Sequence, residues 1–288
     1  MLQELEFGRL ENEFYDKLAA SEDLVVCIKN NQVLAKRTKD NQIIYPTAAL
    51  VRKWAKENQW SLWKEADLQY VFRMQDKDYY LWMGEGGDPV DESFAYEEIR
   101  QMSVFETKAA CFAACTAMHL YVWYQNNQFC GRCQTKTVHD TKERMLRCPN
   151  CGNLIFPRIS PAVIIGVTNG EKLLMSKYAG RAYTRYALIA GFTEIGETLE
   201  ETVKREVMEE VGLHVKNIRY YKSQPWGRDG GVLMGFFCDL DGSDEIHLDE
   251  NELALAEWHE RNALPAEDDG ISLTREMMRV FEEGREPK

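Results

Sequence analysis

The stretch from Gly191 to Leu213 reads G-F-T-E-I-G-E-T-L-E-E-T-V-K-R-E-V-M-E-E-V-G-L, and it is the most informative part of this 288-residue chain. Within it an apolar residue recurs at every fourth position, which is the pattern of an amphipathic helix anchored to a core. The apolar positions are Leu199, Val203, Val207 and Val211. The pattern therefore predicts a helix with one buried stripe, whose acidic side chains face outward.

Three glutamates of this helix share one arc of its surface, because Glu209 and Glu210 follow Glu206 by three and four residues. Carboxylate oxygens suit Mg²⁺ or Mn²⁺, and Mg²⁺ is usually held by one or two carboxylates together with substrate phosphates. Taken alone, a run such as E-x-x-E-E is more often a solvated helix face. The spacing thus admits a cation site completed by a phosphate-bearing substrate, and the flanking residues decide between the two interpretations.

The flanking residues fall in the register G-x5-E-x7-R-E-V-x-E-E-x-G-L, which begins at Gly191 and ends at Leu213. This segment resembles the complete signature of the Nudix hydrolases, which cleave a nucleoside diphosphate linked to another moiety. The resemblance implies a loop, a helix and a loop within an α/β/α sandwich.

The same resemblance implies a role for each site residue of the segment. Glu206, Glu209 and Glu210 would bind the divalent cations, the backbone carbonyl of Ala190 would join them, Arg205 would orient the glutamates, and Glu197 would brace the loop.

Upstream, four cysteines form two C-x-x-C pairs, Cys130-Gly-Arg-Cys133 and Cys148-Pro-Asn-Cys151, separated by fourteen residues. Four thiolates at this spacing are typical of a tetrahedral zinc site that leaves no open position for catalysis. The alternatives are a redox C-x-x-C motif or disulfides, and either requires two matched pairs to arise together. The spacing therefore predicts a structural zinc ribbon.

A third motif, Ser223-Gln224-Pro225-Trp226, follows the glutamate-rich helix. Together with the four-cysteine module it resembles the NADH pyrophosphatase branch of the Nudix family, known also for removing NAD caps from RNA. We interpret the Pro-Trp pair as a turn that offers a stacking face to the substrate. The resemblance makes all four residues of the motif candidates for substrate binding.

Four further site residues come from the same resemblance. Phe156 and Phe192 would contact the bases, Thr274 would contact substrate through its backbone, and Glu252 would lie near the metals. Either Glu209 or Glu252 would accept the proton of the attacking water, since the choice of a general base requires geometry.

The sequence departs from that branch directly after Trp226, where Gly227-Arg228-Asp229-Gly230-Gly231 replaces the continuation P-F-P-x-S. The glycines predict a more flexible loop, and Arg228 is either a ligand of phosphate or carboxylate or a solvated charge. Specificity for the nicotinamide half of a dinucleotide is therefore open.

Composition limits the compartment and the partners. A formal net charge of -12 and a pI near 5.1 argue against broad affinity for nucleic acid, which depends on cationic side chains. Between Cys130 and Cys148, however, five basic residues oppose two acidic ones, so an RNA end is a permissible substrate. Eight cysteines, an acidic N-terminus and the lack of a long apolar run predict a cytoplasmic chain without a membrane span. Homodimerisation is expected from the resemblance alone.

The length predicts an α/β chain of two domains and a small metal module. The predicted division is an N-terminal α/β domain at 1–125, a Cys₄ zinc ribbon at 126–156 and a Nudix domain at 157–288. Predicted hairpins lie at 24–36, at 68–83, and at 162–167 with 172–176, the last with a type I′ turn at Asn169-Gly170. Predicted helices lie at 47–58, 106–124 and 272–283. Further strands are predicted at 186–190, 214–221, 232–238 and 253–259.

The function that these features favour is metal-assisted hydrolysis of the diphosphate bond of NAD(H), which would give NMN(H) and AMP, with NAD-capped RNA as a further substrate. The first alternative is a Nudix enzyme for ADP-ribose or a dinucleoside polyphosphate, which the departure after Trp226 favours. The second is a non-catalytic nucleotide- or RNA-binding protein, against which the three intact glutamates argue.

Overall fold

The computed structural model describes residues 1–6, 8–57, 64, 67–84, 89, 91–99, 108–181, 183–227, 229–265 and 269–288. The chain divides into two compact units. One contains residues 2–158 and 227–229, and the other contains Met1 with residues 159–226 and 230–288. The boundaries predicted at 125/126 and 156/157 stay predictions. Among the described helices, none is long and apolar enough to cross a membrane.

The unit of residues 2–158 begins with two small sheets and two helices. Its elements are β1 (Leu10–Glu11), β2 (Leu24–Val26), β3 (Ile28–Lys29), β4 (Gln32–Arg37), β5 (Ile43–Ile44), α1 (Ala48–Glu57), β6 (Leu68–Met74), β7 (Lys77–Trp82), β8 (Ala95–Glu98) and α2 (Lys108–Asn126). One sheet has the order β1-β6-β7-β2, and the other has the order β3-β4-β5 with β8 paired to β4. Trp54, Tyr70 and Tyr80 lie in the core between α1 and the strands.

The hairpin predicted at 24–36 is confirmed only in its second part. β3 pairs with β4 across Asn30 and Asn31, which both have positive φ as a two-residue hairpin turn requires. β2 instead pairs in parallel with β7, so its apolar residues belong to the other sheet.

The hairpin predicted at 68–83 and the first two predicted helices are confirmed. The turn of this hairpin lies at Gln75-Asp76, both with positive φ, rather than at Asp76-Lys77-Asp78. Residues 106 and 107, where the second helix was predicted to begin, lie outside the described residues.

The four cysteines of the predicted ribbon converge beside a three-stranded sheet of β9 (Val138–His139), β10 (Leu146–Arg147) and β11 (Leu154–Ile155). Their sulfur atoms all lie within 4.8 Å of one another, with Cys130 Sγ 3.7 Å from Cys151 Sγ and Cys133 Sγ 3.4 Å from Cys148 Sγ. Tetrahedral zinc with bonds of about 2.3 Å separates thiolates by roughly 3.8 Å. The cluster therefore fits a closed structural zinc site.

Hydrogen bonds favour the thiolate form, which zinc binds, at Cys130 and Cys133, whereas burial and the neighbouring cysteines raise the pKa of Cys151 to about 11. The Arg132 backbone N–H donates to Cys130 Sγ at 3.4 Å and lowers the pKa of that thiol. Hydrogen bonds from the side chain and backbone of Thr135 lower the pKa of Cys133 to about 5. Metal affinity rises when ligands are already deprotonated.

The described residues of the unit that contains 159–226 and 230–288 form one six-stranded sheet, two α-helices and the short 3-10 helix Arg261–Ala263. Its elements are β12 (Ser160–Asn169), β13 (Lys172–Tyr178), β14 (Ile189–Phe192), α3 (Leu199–Val211), β15 (Val215–Trp226), β16 (Gly231–Leu240), β17 (Leu253–Glu260) and α4 (Leu273–Glu282). The order is β15-β16-β12-β13-β17, with β14 paired to β12. β12 and β16 are parallel, and the other pairs are antiparallel.

The two helices cover opposite faces of this sheet. Alternate side chains of a strand point to opposite faces, so Val163 of β12 packs with Val207 of α3, whereas the next residue, Ile164, packs with Met277 of α4. Val203, Val207 and Val211 are fully buried, which confirms the apolar stripe. The mixed α/β fold and the α/β/α sandwich are thereby confirmed.

Two local predictions about this sheet are wrong. The hairpin between β12 and β13 turns at Gly170-Glu171, and only Gly170 has positive φ, so the turn has the dihedral pattern of type II′ rather than I′. The Pro-Trp pair does not form a turn, because β15 extends through Trp226 and pairs Pro225 with Val232. β15 is an edge strand, where a proline without an N–H is tolerated.

The first turn of α3 is fixed by a capping box. The Thr198 hydroxyl accepts a hydrogen bond from the Glu201 N–H at 3.2 Å, and the Glu201 carboxylate accepts one from the Thr198 N–H at 2.8 Å. The helix ends at Gly212, which has φ of 67° and donates its N–H to the Met208 carbonyl. The box and this left-handed cap set the length of the glutamate-bearing helix.

Replacement of Thr198 by alanine removes one half of the capping box. We expect the free energy of opening of the α3 amides to fall by about 1 kcal/mol, measured by native-state hydrogen exchange. Thr198→Ser keeps the hydroxyl and serves as the control. Equal protection in Thr198→Ala and the unaltered protein would contradict a stabilising role for the cap.

Cys133→Ser tests the zinc site. We expect the unaltered protein to bind about one zinc ion per chain and the variant to bind far less, because structural zinc requires all four ligands. Metal content is measured by atomic emission after dialysis. Cys27→Ala, at a buried cysteine outside the cluster, is the control and retains zinc. A Cys133→Ser protein with full zinc content would exclude the Cys₄ site.

Candidate active site

Arg205 of α3 lies at the centre of a network that joins the loop, the helix and β14. Its Nε and Nη2 donate to the two carboxylate oxygens of Glu197 at 2.6 and 3.0 Å. Its Nη1 donates to Glu206 at 2.7 Å and to Glu209 at 2.9 Å, and its Nη2 also donates to the Phe192 carbonyl at 2.9 Å. One planar guanidinium thereby fixes three carboxylates, which agrees with its fork of donors.

Glu197 is held as an anion by this network. The Arg205 guanidinium, and next the Glu194 backbone N–H, lower the pKa of Glu197 to about 2. Its Oε2 also accepts from the Thr202 hydroxyl at 3.0 Å. Glu197 therefore ties the loop before α3 to the first turns of the helix.

Glu206 packs against β14 at a position that only glycine can occupy. A Cβ atom on Gly191 would lie 2.0 Å from the Glu206 carboxyl carbon. Glu206 is consequently 8% exposed, and burial raises the pKa of its carboxyl group, with the nearby Glu209 and Glu252 adding to the shift. The spacing of Gly191 and Glu206 in the motif thus has a direct steric reason.

Glu210 is the most deeply buried acid of the cluster. It is 2% exposed, and its Oε2 has no hydrogen-bond partner among the described residues. Burial, followed by repulsion from Glu206 and Glu252, raises the pKa of Glu210 to about 8. The sequence predicted that the acids of this helix face outward. This prediction is wrong for Glu206 and Glu210, which flank the valine stripe and turn toward the sheet. It holds for Glu209, whose side chain is 58% exposed.

Glu252 precedes β17 and joins the acidic cluster from another part of the sheet. Its backbone carbonyl accepts the Ala179 N–H at 2.9 Å, which holds it beside the end of β13. Its charge raises the pKa of both Glu206 and Glu210, although burial is the larger cause at each. Residues far apart in sequence therefore contribute to one concentration of negative charge.

This cluster fits a hard divalent cation. All of its donors are oxygens, one of them is buried without a partner, and repulsion between the carboxylates is relieved by a bound cation. Ala190 adjoins the cluster through its backbone N–H, which contributes a hydrogen bond to Glu210. Within the described ranges, only the four cysteines gather their ligand atoms within 4.8 Å, because Arg205 draws Glu206 and Glu209 toward itself.

The residues of the S-Q-P-W motif alternate between the two faces of β15. Ser223 and Pro225 are exposed, Trp226 is half-buried, and Gln224 is fully buried. The Gln224 side chain donates to the Ile271 carbonyl at 2.7 Å and accepts the Leu273 N–H at 2.8 Å. Gln224 therefore fastens the first turn of α4 to the strand.

The remaining predicted substrate residues lie at three places in the chain. Phe192 ends β14 and is 56% exposed, and Thr274 lies half-buried in the first turn of α4. Phe156 belongs to the unit of residues 2–158 and is 54% exposed. Arg228 lies outside the described residues. Trp226 at the end of β15 pairs with Gly231 at the start of β16.

Three residues near the acids were not anticipated from the sequence. Tyr178 ends β13, and Arg181 and Tyr183 follow in the connection to β14, in the stretch K-Y-A-G-R-A-Y-T-R-Y that interleaves basic and aromatic residues. The Arg181 guanidinium carbon lies 4.3 Å from the centre of the Tyr178 ring, and its charge lowers the pKa of Glu210, opposing the effect of burial. Tyr183 follows, with 45% of its surface exposed. Alternation of arginine and tyrosine was the available signal, since nucleotide sites combine cations with stacking rings.

Comparison with known proteins places these features in a family. The NUDIX domain model matches residues 158–281, and the model of the NADH pyrophosphatase zinc ribbon domain matches residues 125–156. A crystal structure of a NUDIX hydrolase from Nitrosomonas europaea covers 54% of this chain and 91% of that one, with a TM-score of 0.47 and 23% identity.

Two similar proteins carry the name NAD-capped RNA hydrolase NudC. The protein of Chromobacterium violaceum is 39% identical over 167 residues, which are 58% of this chain and 63% of that protein. The protein of Pseudomonas aeruginosa is 31% identical over 243 residues, 84% of each. The matched part of the chain thus spans 63% of the length of the first relative and 84% of the length of the second. With both domain models matched in order, the chain belongs to the Nudix hydrolase family, in the branch that carries an NADH pyrophosphatase zinc ribbon.

Proposed function

We propose that this protein hydrolyses the diphosphate bond of NAD(H), giving NMN(H) and AMP, and that NAD caps of RNA are a further substrate. The observation that carries the proposal is the pair Glu206 and Glu209 held by Arg205 next to the buried Glu210, together with the S-Q-P-W strand fastened to α4. Family membership and the names of the relatives support the substrate class.

Glu206, Glu209 and Glu210 would hold the divalent cation, with the Ala190 carbonyl as a further ligand. Mg²⁺ or Mn²⁺ is proposed, because the donors are oxygens and the substrate supplies phosphate oxygens. When bound, such a cation neutralises the diphosphate and lowers the pKa of bound water. Arg205 fixes the directions of Glu206 and Glu209, and Glu197 fixes Arg205.

The proton of the attacking water would pass to Glu209 or Glu252. Glu209 is exposed to solvent while Arg205 restrains its carboxylate, which suits a group that must meet water in a defined orientation. Glu252 reaches the cluster from β17 and is the alternative acceptor.

The exposed aromatic residues would bind the bases. Phe192 ends β14, and its backbone carbonyl accepts a hydrogen bond from Arg205, so a base stacked on its exposed ring would lie near the strand end to which Arg205 is tied. Ser223, Pro225, Trp226 and the backbone of Thr274 would contact the remainder of the substrate, with Gln224 holding their two elements together. Phe156 would contribute a second aromatic surface.

The proposed assembly is a homodimer in the cytoplasm. The dimer rests on the family resemblance and is tested by light scattering. The cytoplasm is supported by eight cysteines without a disulfide, all of which the structure describes.

The first test is a product analysis. With Mn²⁺ or Mg²⁺ and equal amounts of NADH, NAD⁺, ADP-ribose and diadenosine polyphosphate, we expect NADH and NAD⁺ to yield two mononucleotides, detected by chromatography with mass detection. Glu209→Gln should lower turnover by about 10²-fold or more while binding persists. Glu200→Gln, on the exposed face of the same helix, is the control. Preference for ADP-ribose would point to a retuned enzyme, and no turnover of any substrate would exclude catalysis.

The buried Glu210 makes cation-free stability depend on pH. Its pKa is about 8 in the folded protein against an ordinary value of 4.5, so the folded state binds more protons between these values. Stability without Mg²⁺ or Mn²⁺ should therefore fall as pH rises from about 4.5 to about 8.

Glu210→Gln removes the titrating group and should flatten this dependence. Thermal unfolding from pH 5 to 9 without added Mg²⁺ or Mn²⁺ measures it, and added Mn²⁺ should stabilise the unaltered protein at pH 8 much more than the variant. Glu200→Gln again serves as the control. Identical pH profiles for Glu210→Gln and the unaltered protein would contradict a buried, titrating Glu210.

A further inference from the structure

Arg275 of α4 is a buried cation without an acidic partner. The residue is 3% exposed, and among the described residues no carboxylate oxygen lies within 4.0 Å of its guanidinium. Its Nη2 donates to the Tyr183 hydroxyl at 2.8 Å, and its Nη1 lies 3.8 Å from the Met278 sulfur. The oxygen contact of this buried group is thus a neutral phenol in another part of the chain.

A guanidinium buried in this way destabilises the fold. Removal of a charge from water costs free energy that a hydrogen bond to a neutral hydroxyl offsets only in part. An apolar side chain of similar length would pack beside Met278 without that cost. A local structural gain therefore does not account for the arginine, and its contact with Tyr183 directs attention to that residue.

Tyr183 combines a fixed hydroxyl with an accessible ring. The hydroxyl is held by Arg275, while 45% of the residue is exposed, in a connection between β13 and β14. A tyrosine on a surface loop ordinarily loses rotamer freedom when a ligand stacks on it, and a ring that is already restrained avoids that cost. The tether therefore prepares the ring for stacking.

The Tyr183 ring is tethered beside the first turn of α4, because Arg275 directly follows Thr274, which is nominated for contact with the substrate. The exposed Arg181 of the same connection lies over the Tyr178 ring, with its guanidinium carbon 4.3 Å from the ring centre. The charge of Arg181 also acts on Glu210. The connection thus carries a cation near Glu210 and a restrained aromatic ring next to a residue nominated for substrate contact.

We propose that Tyr183 is a substrate-binding residue whose ring stacks on a planar base of the dinucleotide, and that Arg275 is the positioning residue that fixes the ring through the tyrosine hydroxyl. This inference rests on the proposed function for the identity of the substrate. It adds a base-binding surface on the β13–β14 connection to those nominated on β14 and β15.

Steady-state kinetics with NADH separates the two roles. Tyr183→Ala should raise KM at least about tenfold, since base stacking on an aromatic ring contributes that much, with little change in kcat. Tyr183→Phe and Arg275→Met each break the tether and keep the ring, so each should raise KM by a smaller factor. The double variant Tyr183→Phe/Arg275→Met should be no worse than either single variant, because both remove the same contact.

Thermal unfolding separates the positioning role of Arg275 from a merely structural role, and the expectations that follow are those of the positioning role. Arg275→Met should unfold at the same or a higher temperature than the unaltered protein, because it removes a buried charge. Arg279→Met, at an exposed arginine one turn later on α4, and Tyr220→Ala, at an exposed tyrosine of β15, are the matched controls and should leave KM unchanged. Loss of stability in Arg275→Met with unchanged KM would overturn the positioning role.

Equilibrium binding distinguishes failure of this inference from failure of the proposed function. In a Glu209→Gln background, calorimetry with Mn²⁺ compares inorganic pyrophosphate with NADH, or with ADP-ribose if that is the substrate converted. Tyr183→Ala should weaken binding of the base-containing ligand about tenfold and leave pyrophosphate unchanged. This holds even if NADH is not hydrolysed. Equal weakening of both ligands, no weakening of either, or no binding of a base-containing ligand by the unaltered protein would overturn the stacking role.

Discussion

The hydrogen bonds of the Arg205 guanidinium are the constraint on which the candidate site depends. The three glutamates that it contacts lie on or before one short helix and would repel one another, and one of them, Glu206, is buried. Arg205 compensates part of that charge and also ties the helix to the Phe192 carbonyl at the end of β14. An arginine is required because a lysine ammonium lacks the planar fork that serves several acceptors at once.

Arg205 does not reach Glu210, which lies one turn beyond Glu206 on the same side of the helix. Glu210 has a carboxylate oxygen without a partner among the described residues, and burial, followed by the charges of Glu206 and Glu252, raises its pKa. A protein that only needed a stable fold would gain by an apolar residue at this position. Burial of Glu210 within the sandwich therefore destabilises the cation-free protein, and a divalent cation relieves the repulsion among the carboxylates.

The sequence was informative where a local pattern has one structural solution. The valine stripe, the cysteine spacing and the signature register each predicted an arrangement that the structure contains. Predictions that depended on tertiary neighbours were less accurate. The apolar pattern of α3 could not reveal that Glu206 turns inward, because the space that its carboxylate fills exists only where Gly191 of β14 lacks a Cβ atom. Likewise Pro225 suggested a turn, and only the position of β15 at the sheet edge allows it to remain extended.

The departure after Trp226 has a limited effect on the chemistry for a geometric reason. The glutamates are fixed by α3, β14 and the loop that carries Glu197, whereas 227–230 connect β15 to β16. A change in that connection leaves the Arg205 network intact and alters only what lies beside the end of the edge strand. The β13–β14 connection also lies outside the helix and strand that hold the glutamates, and it carries Arg181 and Tyr183. Selection among diphosphate substrates can therefore change through these two connections while the hydrolytic centre, built on the rigid helix and strand, stays the same.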